Sequence, residues 1–243
     1  MKRWILAFLL ATVSLPVLAN GRLAQVEIVD GLSGRTLPIY HDNGRHYVAG
    51  VPGGEYSIRI RNRTYTDLLA VVSVDGVNVV TGETAAVDQG GYILGRRQRF
   101  DIKGWRKSLE QVASFYFSSL DSSYAARTGR PDNVGVIGVA VFKRKPDQRY
   151  FEDSDVPAEP SAPRSRESEK SSDSAARLGT GHGRRLDSAV RYGQFERESA
   201  VPNEVVTIYY DSRANLIARG IIPGERPGPD PFPNGFVADP PNG

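Results

Sequence analysis

Cysteine is absent from all 243 residues, which excludes a disulfide framework, thiolate metal sites and cysteine nucleophiles together. The only methionine is Met1. Imidazole is almost as scarce, being confined to His41, His46 and His182, and no Gly-x-Ser-x-Gly elbow accompanies these three, so a Ser-His-Asp triad has no support. No internal repeat is found, and past the N-terminus no apolar run is long enough to cross a bilayer. Neither sign of charge dominates: 31 Lys+Arg stand against 28 Asp+Glu, a formal +3. Stability must come from burial, and the chain is long enough for one substantial core with appendages.

Residues 1–19 read as a signal peptide. Lys2 and Arg3 form a positive start, residues 4–17 an apolar stretch broken by Pro16, and Val17-Leu18-Ala19 a small-residue cleavage site before Asn20. The apolar stretch is short for a membrane span, and position 20 is not the cysteine of a lipid-anchored protein, so no transmembrane anchor is expected after cleavage. Cleavage removes two of the 31 cations and no anion, leaving a formal +1. That is no footprint for nucleic acid, and no nucleic-acid partner is expected.

The strongest local signal lies in residues 68–81, where two valine-rich runs flank Asp75-Gly76, a pair suited to the positive φ angles of a type I′ turn. This register sets Val74 opposite Val77, Ser73 opposite Asn78, Val72 opposite Val79 and Ala70 opposite Thr81. Both faces are largely apolar, so the hairpin is expected at the centre of the protein, covered on both sides. Apolar residues also recur at period two through residues 23–60, with turns at 31–34, Asn43-Gly44 and 51–54. Further strands are expected at 92–94, 100–102, 112–117 and 134–142, the last beside the central hairpin, with a short helix at 122–127 ended by Gly129.

The composition changes at Lys143. Residues 143–175 hold almost no large apolar side chain and read as a disordered linker. Residues 176–222 read as a C-terminal segment ending in a hairpin, with strands at 205–210 and 215–222. Two strands alone are unstable in water, so this segment is expected to dock on the body formed by residues 20–142. Residues 223–243, with seven prolines and four glycines, read as a disordered tail. The spacing of strands and turns predicts an all-β fold, an antiparallel β-sandwich or open barrel with one short helix.

Candidate site residues are few. If Asn43-Gly44 closes a two-residue turn, His41 and His46 face each other closely enough to share a divalent metal, but the sequence offers no third ligand. Residues 178–185, Leu-Gly-Thr-Gly-His-Gly-Arg-Arg, have the glycines and arginines of an anion cradle around His182, yet lack the lysine-hydroxyl ending of a phosphate loop. Trp105 and Tyr92, with Tyr116 and Tyr124, are candidates for a sugar-stacking platform, although aromatic residues at strand spacing more often belong to the core. Ser73 and Asn78 form a polar notch in an apolar surface. They are either hydrogen-bonded under cover or a ligand contact.

The segments Tyr47-Val48-Ala49-Gly50, Ser73-Val74-Asp75-Gly76-Val77-Asn78-Val79, Gly104-Trp105-Arg106, Asn133-Val134-Gly135-Val136-Ile137-Gly138, Gly179-Thr180-Gly181-His182-Gly183 and Tyr210-Asp211-Ser212-Arg213-Ala214-Asn215-Leu216 resemble a family of bacterial secreted proteins without an assigned activity. The resemblance implies export and a single unit that includes the C-terminal segment. It supplies no catalytic residues. Taken together, these readings point to an exported, non-catalytic protein, periplasmic or secreted, with a binding or structural role in the bacterial cell envelope and no cofactor. An envelope protein or a glycan is the expected partner, a carbohydrate- or cell-wall-binding module is the alternative, and a metal-dependent hydrolase built on the histidines stands third.

Overall fold

Alternating burial writes most of the strands. In the computed structural model, which describes residues 19–146 and 177–224, strand β2 (Ala24–Asp30) buries Val26 and Ile28 completely while Gln25 and Glu27 stay half-exposed. The same alternation carries β5 (Glu55–Asn62), with Tyr56, Ile58 and Ile60 inward. Between them, β3 (Ile39–Asp42) and β4 (Arg45–Gly50) are joined by Asn43-Gly44, at φ 46° and 73°. The expectations for residues 1–18, for most of the linker and for 225–243 fall outside the described residues.

Two sheets result. The first runs in the order β1 (Ala19–Asn20), β2, β5, β11 (Gln111–Ser119), β10 (Gly104–Arg106), with β9 (Arg99–Ile102) paired to β5 and β13 (Leu178–Asp187) paired to β11. The second runs β3, β4, β14 (Glu204–Ser212), β12 (Val136–Lys143), β6 (Leu68–Val74), β7 (Val77–Asn78), with β8 (Tyr92–Leu94) also paired to β6. One hydrophobic cluster draws on both sheets: Ile28, Ile58 and Phe115 come from the first, and Val72, Val141 and Ile208 from the second. The fold is β-rich, and among the described residues there are two short α-helices, α1 (Tyr124–Arg127) and α2 (Arg213–Ala218), rather than one.

Strand β6 sits inside its sheet, flanked by β12 on one side and by β7 and β8 on the other. Leu68, Ala70, Val72 and Val74 join the core shared by the sheets, while Leu69 and Val71 meet Ala140, Phe142 and Phe195 on the opposite face. The hairpin's return strand is shorter than its sequence suggests. Asn78 Oδ1 accepts from the backbone N–H groups of Val80 and Thr81, a turn that leads the chain out of the sheet, and Tyr92 rather than Thr81 lies opposite Ala70.

The C-terminal segment also departs from expectation. Strand β14 lies between β12, to which it is antiparallel, and β4, to which it is parallel, so the sheet is not wholly antiparallel. Among the described residues no strand returns from it. Ser212 caps α2 by accepting from the Asn215 N–H, and Leu216 is then buried with Tyr47, Ile221 and Ile222. A Ser cap ahead of apolar residues at helical spacing outweighed the β-branched character of residues 217–222. The start of the linker is likewise ordered: Lys143 belongs to β12, Arg144 bridges Arg197, and the Lys145 N–H donates to the Glu196 carbonyl.

Candidate functional site

Several of the quoted segments meet at one buried carboxylate. Asp75 and Gly76 take φ angles of 53° and 73°, and this tip places the Asp75 side chain, wholly inaccessible to solvent, beside β12, β13 and β14. Asp75 Oδ1 accepts from the Gly135 N–H at 2.9 Å and from the Tyr210 hydroxyl, and Oδ2 accepts from the Thr180 N–H at 2.8 Å. The Thr180 hydroxyl joins Tyr210 at 2.7 Å and Tyr56 at 2.6 Å. Residues of both sheets are therefore held in one polar chain running from Asp75 through Tyr210 and Thr180 to Tyr56.

Burial raises the Asp75 carboxyl to about 6, against the pull of its three donors. Burial also pushes the Tyr56 and Tyr210 phenols well above their usual range, and the nearby Asp75 charge adds to the effect. A carboxyl poised near neutrality is a common mark of acid–base chemistry. Here the group is covered: Asp75, Thr180, Tyr56 and Tyr210 are all buried, and they line neither of the two hollows at about 860 and 370 Å³. The network joins strands of both sheets in the core.

The larger hollow, about 860 Å³, lies elsewhere. Its walls come from β8, from β9, from residues 106–109 at the end of β10 and beyond, from Arg144, and from the connection between β13 and β14 at residues 189–194. That connection is tied down at both ends. The Ser188 and Val190 N–H groups donate to the carbonyls of Glu110 and Leu109, and Arg197 donates to the carbonyls of Val87, Asp88 and Gln89 while stacking over Phe142.

Among the described residues four cations line this cleft, Arg106, Lys107, Arg144 and Arg191, and no Asp, Glu or His does. Arg106 spends its donors on neutral acceptors, namely the Tyr92 hydroxyl, the Ser108 and Ser188 carbonyls and the Ser188 hydroxyl, so its charge is not cancelled. Arg144 is half-compensated by Asp67 at 3.2 Å. Among the described residues neither Lys107 nor Arg191 forms an ion pair. The apolar part of the lining is Val80, Ile93, Phe100 and Val190, with the exposed side chains of Leu109 and Tyr192 at the rim.

The residues singled out from sequence do not converge on one site. Tyr92 lines the cleft, but its ring is largely buried against Phe100 and its hydroxyl is held by Arg106. Trp105 belongs to the core: it packs edge-on to Phe115, and its indole N–H donates to the Gly181 carbonyl, leaving no open face for a sugar. Asn78 is buried and donates to Gln89 and to the Gly90 carbonyl, so this half of the notch is sealed by the segment that covers it. Ser73 lies opposite Asn78 and, on its other side, opposite Gly138, where a Cβ would come within 2.9 Å of the Ser73 hydroxyl.

His182 lies on β13 with its ring stacked on Tyr124. Residues 178–187 form a strand along β11 rather than an anion-binding loop, and their glycines admit close packing: a Cβ on Gly181 would fall 2.1 Å from the Tyr116 ring. His41 and His46 face each other as their register requires, ring centroids 4.6 Å apart, and burial together with His41 lowers the His46 pKa. The nearest carboxylate in the smaller hollow, about 370 Å³, is Glu204, which is already spent on the backbone N–H groups of Arg22, Leu23 and Ala24. No group of three or more metal-ligating side chains occurs among the described residues.

Sequence reasoning passed over Asp75, Thr180 and Tyr210 as site residues and treated the first only as a turn former. The available signal was the turn's position between two runs apolar on both faces, which makes its tip a buried one. No protein-family model, no curated protein and no solved structure matches this chain. Among the described residues no helix is long and apolar enough to cross a membrane.

Proposed function

We propose that the chain is an exported, non-catalytic binding protein of the bacterial cell envelope, folded as a β-sandwich, whose ligand occupies the cleft between β8, β9 and residues 189–194. One observation carries this reading. Among the described residues the open cleft holds cations, aromatic rings and amides but no carboxylate or imidazole, while the carboxyl tuned toward neutrality, Asp75, is buried in the core. Such a lining holds a ligand in place and has no group suited to move a proton near neutral pH. The composition of residues 1–19 and the resemblance to secreted bacterial proteins support export.

Binding of a cell-wall glycan is the second reading, favoured by Tyr192, whose ring is 89% exposed at the cleft rim beside Gln194. Both readings are tested on the isotopically labelled mature protein mixed with fractionated envelope extract. Amide shifts gathered at residues 90–93, 106–109 and 189–194, with no chemical change in the extract, are expected. Shifts gathered at His41, His46 and Glu204 instead, or turnover of a component, contradict the proposal. Mass spectrometry of the exported protein should find Asn20 at the N-terminus, and an intact Met1 in the periplasmic or secreted fraction contradicts export.

A further inference from the structure

The charge pattern of the cleft goes further than the existence of a site. Resting on the binding reading above, we propose that the ligand is an anionic amphiphile, a molecule with a carboxylate or phosphate head and an apolar body. The argument starts from what compensates each cation. Arg106 is held by hydroxyl and carbonyl oxygens alone, which fix the guanidinium without neutralising it, and it therefore presents a positioned positive charge to the cleft. Lys107 and Arg191 stand exposed and make no ion pair among the described residues. Only Arg144 has a carboxylate, Asp67, and that residue does not line the cleft.

Protein surfaces normally intersperse the two signs, and this chain has nearly as many anions as cations. Four cations around one hollow, without a lining anion among the described residues, are thus a local concentration of charge, and low-dielectric walls focus its field into the cleft. Those walls are apolar. Val80, Ile93, Phe100 and Val190 are half-buried there, and Leu109 and Tyr192 extend the apolar surface to the rim. A free inorganic anion would leave this surface wet, and a neutral hydrocarbon would leave the guanidinium of Arg106 unmatched. A ligand with both parts satisfies both, and a volume of about 860 Å³ lies within the range of small-molecule sites.

The other hollows and clusters carry less. The smaller hollow has its carboxylate already committed to backbone, and the histidine pair has no third donor.

The test uses the mature protein and four probes: dodecanoate and dodecyl phosphate below their micellar concentrations, dodecyltrimethylammonium with the same tail and opposite charge, and inorganic phosphate with no tail. Amide shifts and calorimetry should show dodecanoate and dodecyl phosphate in the cleft, with the cationic and tail-less probes bound at least about tenfold more weakly. Affinity should fall as salt rises. The double variant Lys107→Glu, Arg191→Glu, altered only at exposed side chains, should melt like the parent and lose at least about tenfold in dodecanoate affinity. Equal binding of dodecyltrimethylammonium, or dodecanoate binding that the double variant leaves unchanged, overturns the proposal. If the anionic probes leave the cleft unshifted while a neutral glycan fragment shifts it, the amphiphile inference fails and the binding reading stands. If neither the probes nor the envelope extract shifts the cleft, both fail.

Discussion

The Tyr210 hydroxyl donates to the Asp75 carboxylate across 135 residues of sequence, joining the tip of the β6–β7 hairpin to the strand that runs between β4 and β12. The same carboxylate receives the Thr180 amide of the other sheet. Replacing Asp75 by Asn keeps the shape but turns an amide nitrogen toward one of three donors, and Tyr210→Phe leaves Asp75 and Thr180 each short of a partner. Each should cost about 1–3 kcal/mol in urea unfolding. Because the two act on one bond, the double variant should lose less than the sum of the single losses. Strict additivity would mean that the bond contributes nothing to stability.

Stability should also follow the Asp75 carboxyl through its titration. Its folded pKa, about 6, lies above the ordinary 3.8, so the folded state holds the proton more tightly than the unfolded chain. The resulting stabilisation is fully present below about 3.8 and is lost as pH rises through about 6. Measured against Asp75→Asn to cancel other titrating groups, the parent should gain about 2 kcal/mol between pH 7 and pH 4. A difference that stays flat or runs the other way would show that the carboxyl is not held in this way. On protonation the hydroxyl chain can reverse, Asp75 donating to Tyr210, Tyr210 to Thr180 and Thr180 to Tyr56, which leaves only the Tyr56 hydroxyl proton without an acceptor among the described residues.

Strand β13 should tolerate side chains poorly where it crosses Tyr116. A Cβ on Gly181 would sit 2.1 Å from that ring, so Gly181→Ala should destabilise by about 1–3 kcal/mol. Removing the ring removes the conflict: in a Tyr116→Ala background the same change should cost less than 1 kcal/mol, roughly. An equal cost in both backgrounds would place the strain in the backbone rather than against Tyr116.

Much of this fold was legible in the sequence because period-two burial is a local property. The Asp75-Gly76 turn, the Asn43-Gly44 turn and the short helix near Tyr124 follow from neighbours in the chain, and the pairing of residues 136–143 with the central hairpin was legible because both are apolar on two faces. The helix at 213–218 was missed because the β-branched residues after it mimic a strand, while its cap, Ser212, reads equally well as a turn residue. The parallel pairing of β4 with β14 has no local signal, since the two strands lie over 150 residues apart.

The candidate site was legible only at its edges. Tyr92 was singled out for its ring, and Arg106 was visible within Gly104-Trp105-Arg106, but the cleft depends on residues 189–194 folding back over residues 106–109, a contact that no periodicity announces. Trp105, the more conspicuous aromatic, is core because β10 turns it inward against Phe115. Asp75 looked like a turn former and is one. Its second role arises only when β12, β13 and β14 close around it.

Under the proposed function there is a division between two roles: Asp75 holds the two sheets together, and the cationic cleft binds. Melting temperature and dodecanoate affinity, measured on Asp75→Asn and on Arg191→Glu, test it most directly. Asp75→Asn should melt several degrees lower and, well below its melting point, bind dodecanoate with the parent's affinity, while Arg191→Glu should melt like the parent and bind more weakly. An Asp75→Asn protein that melts like the parent but no longer binds would contradict the account.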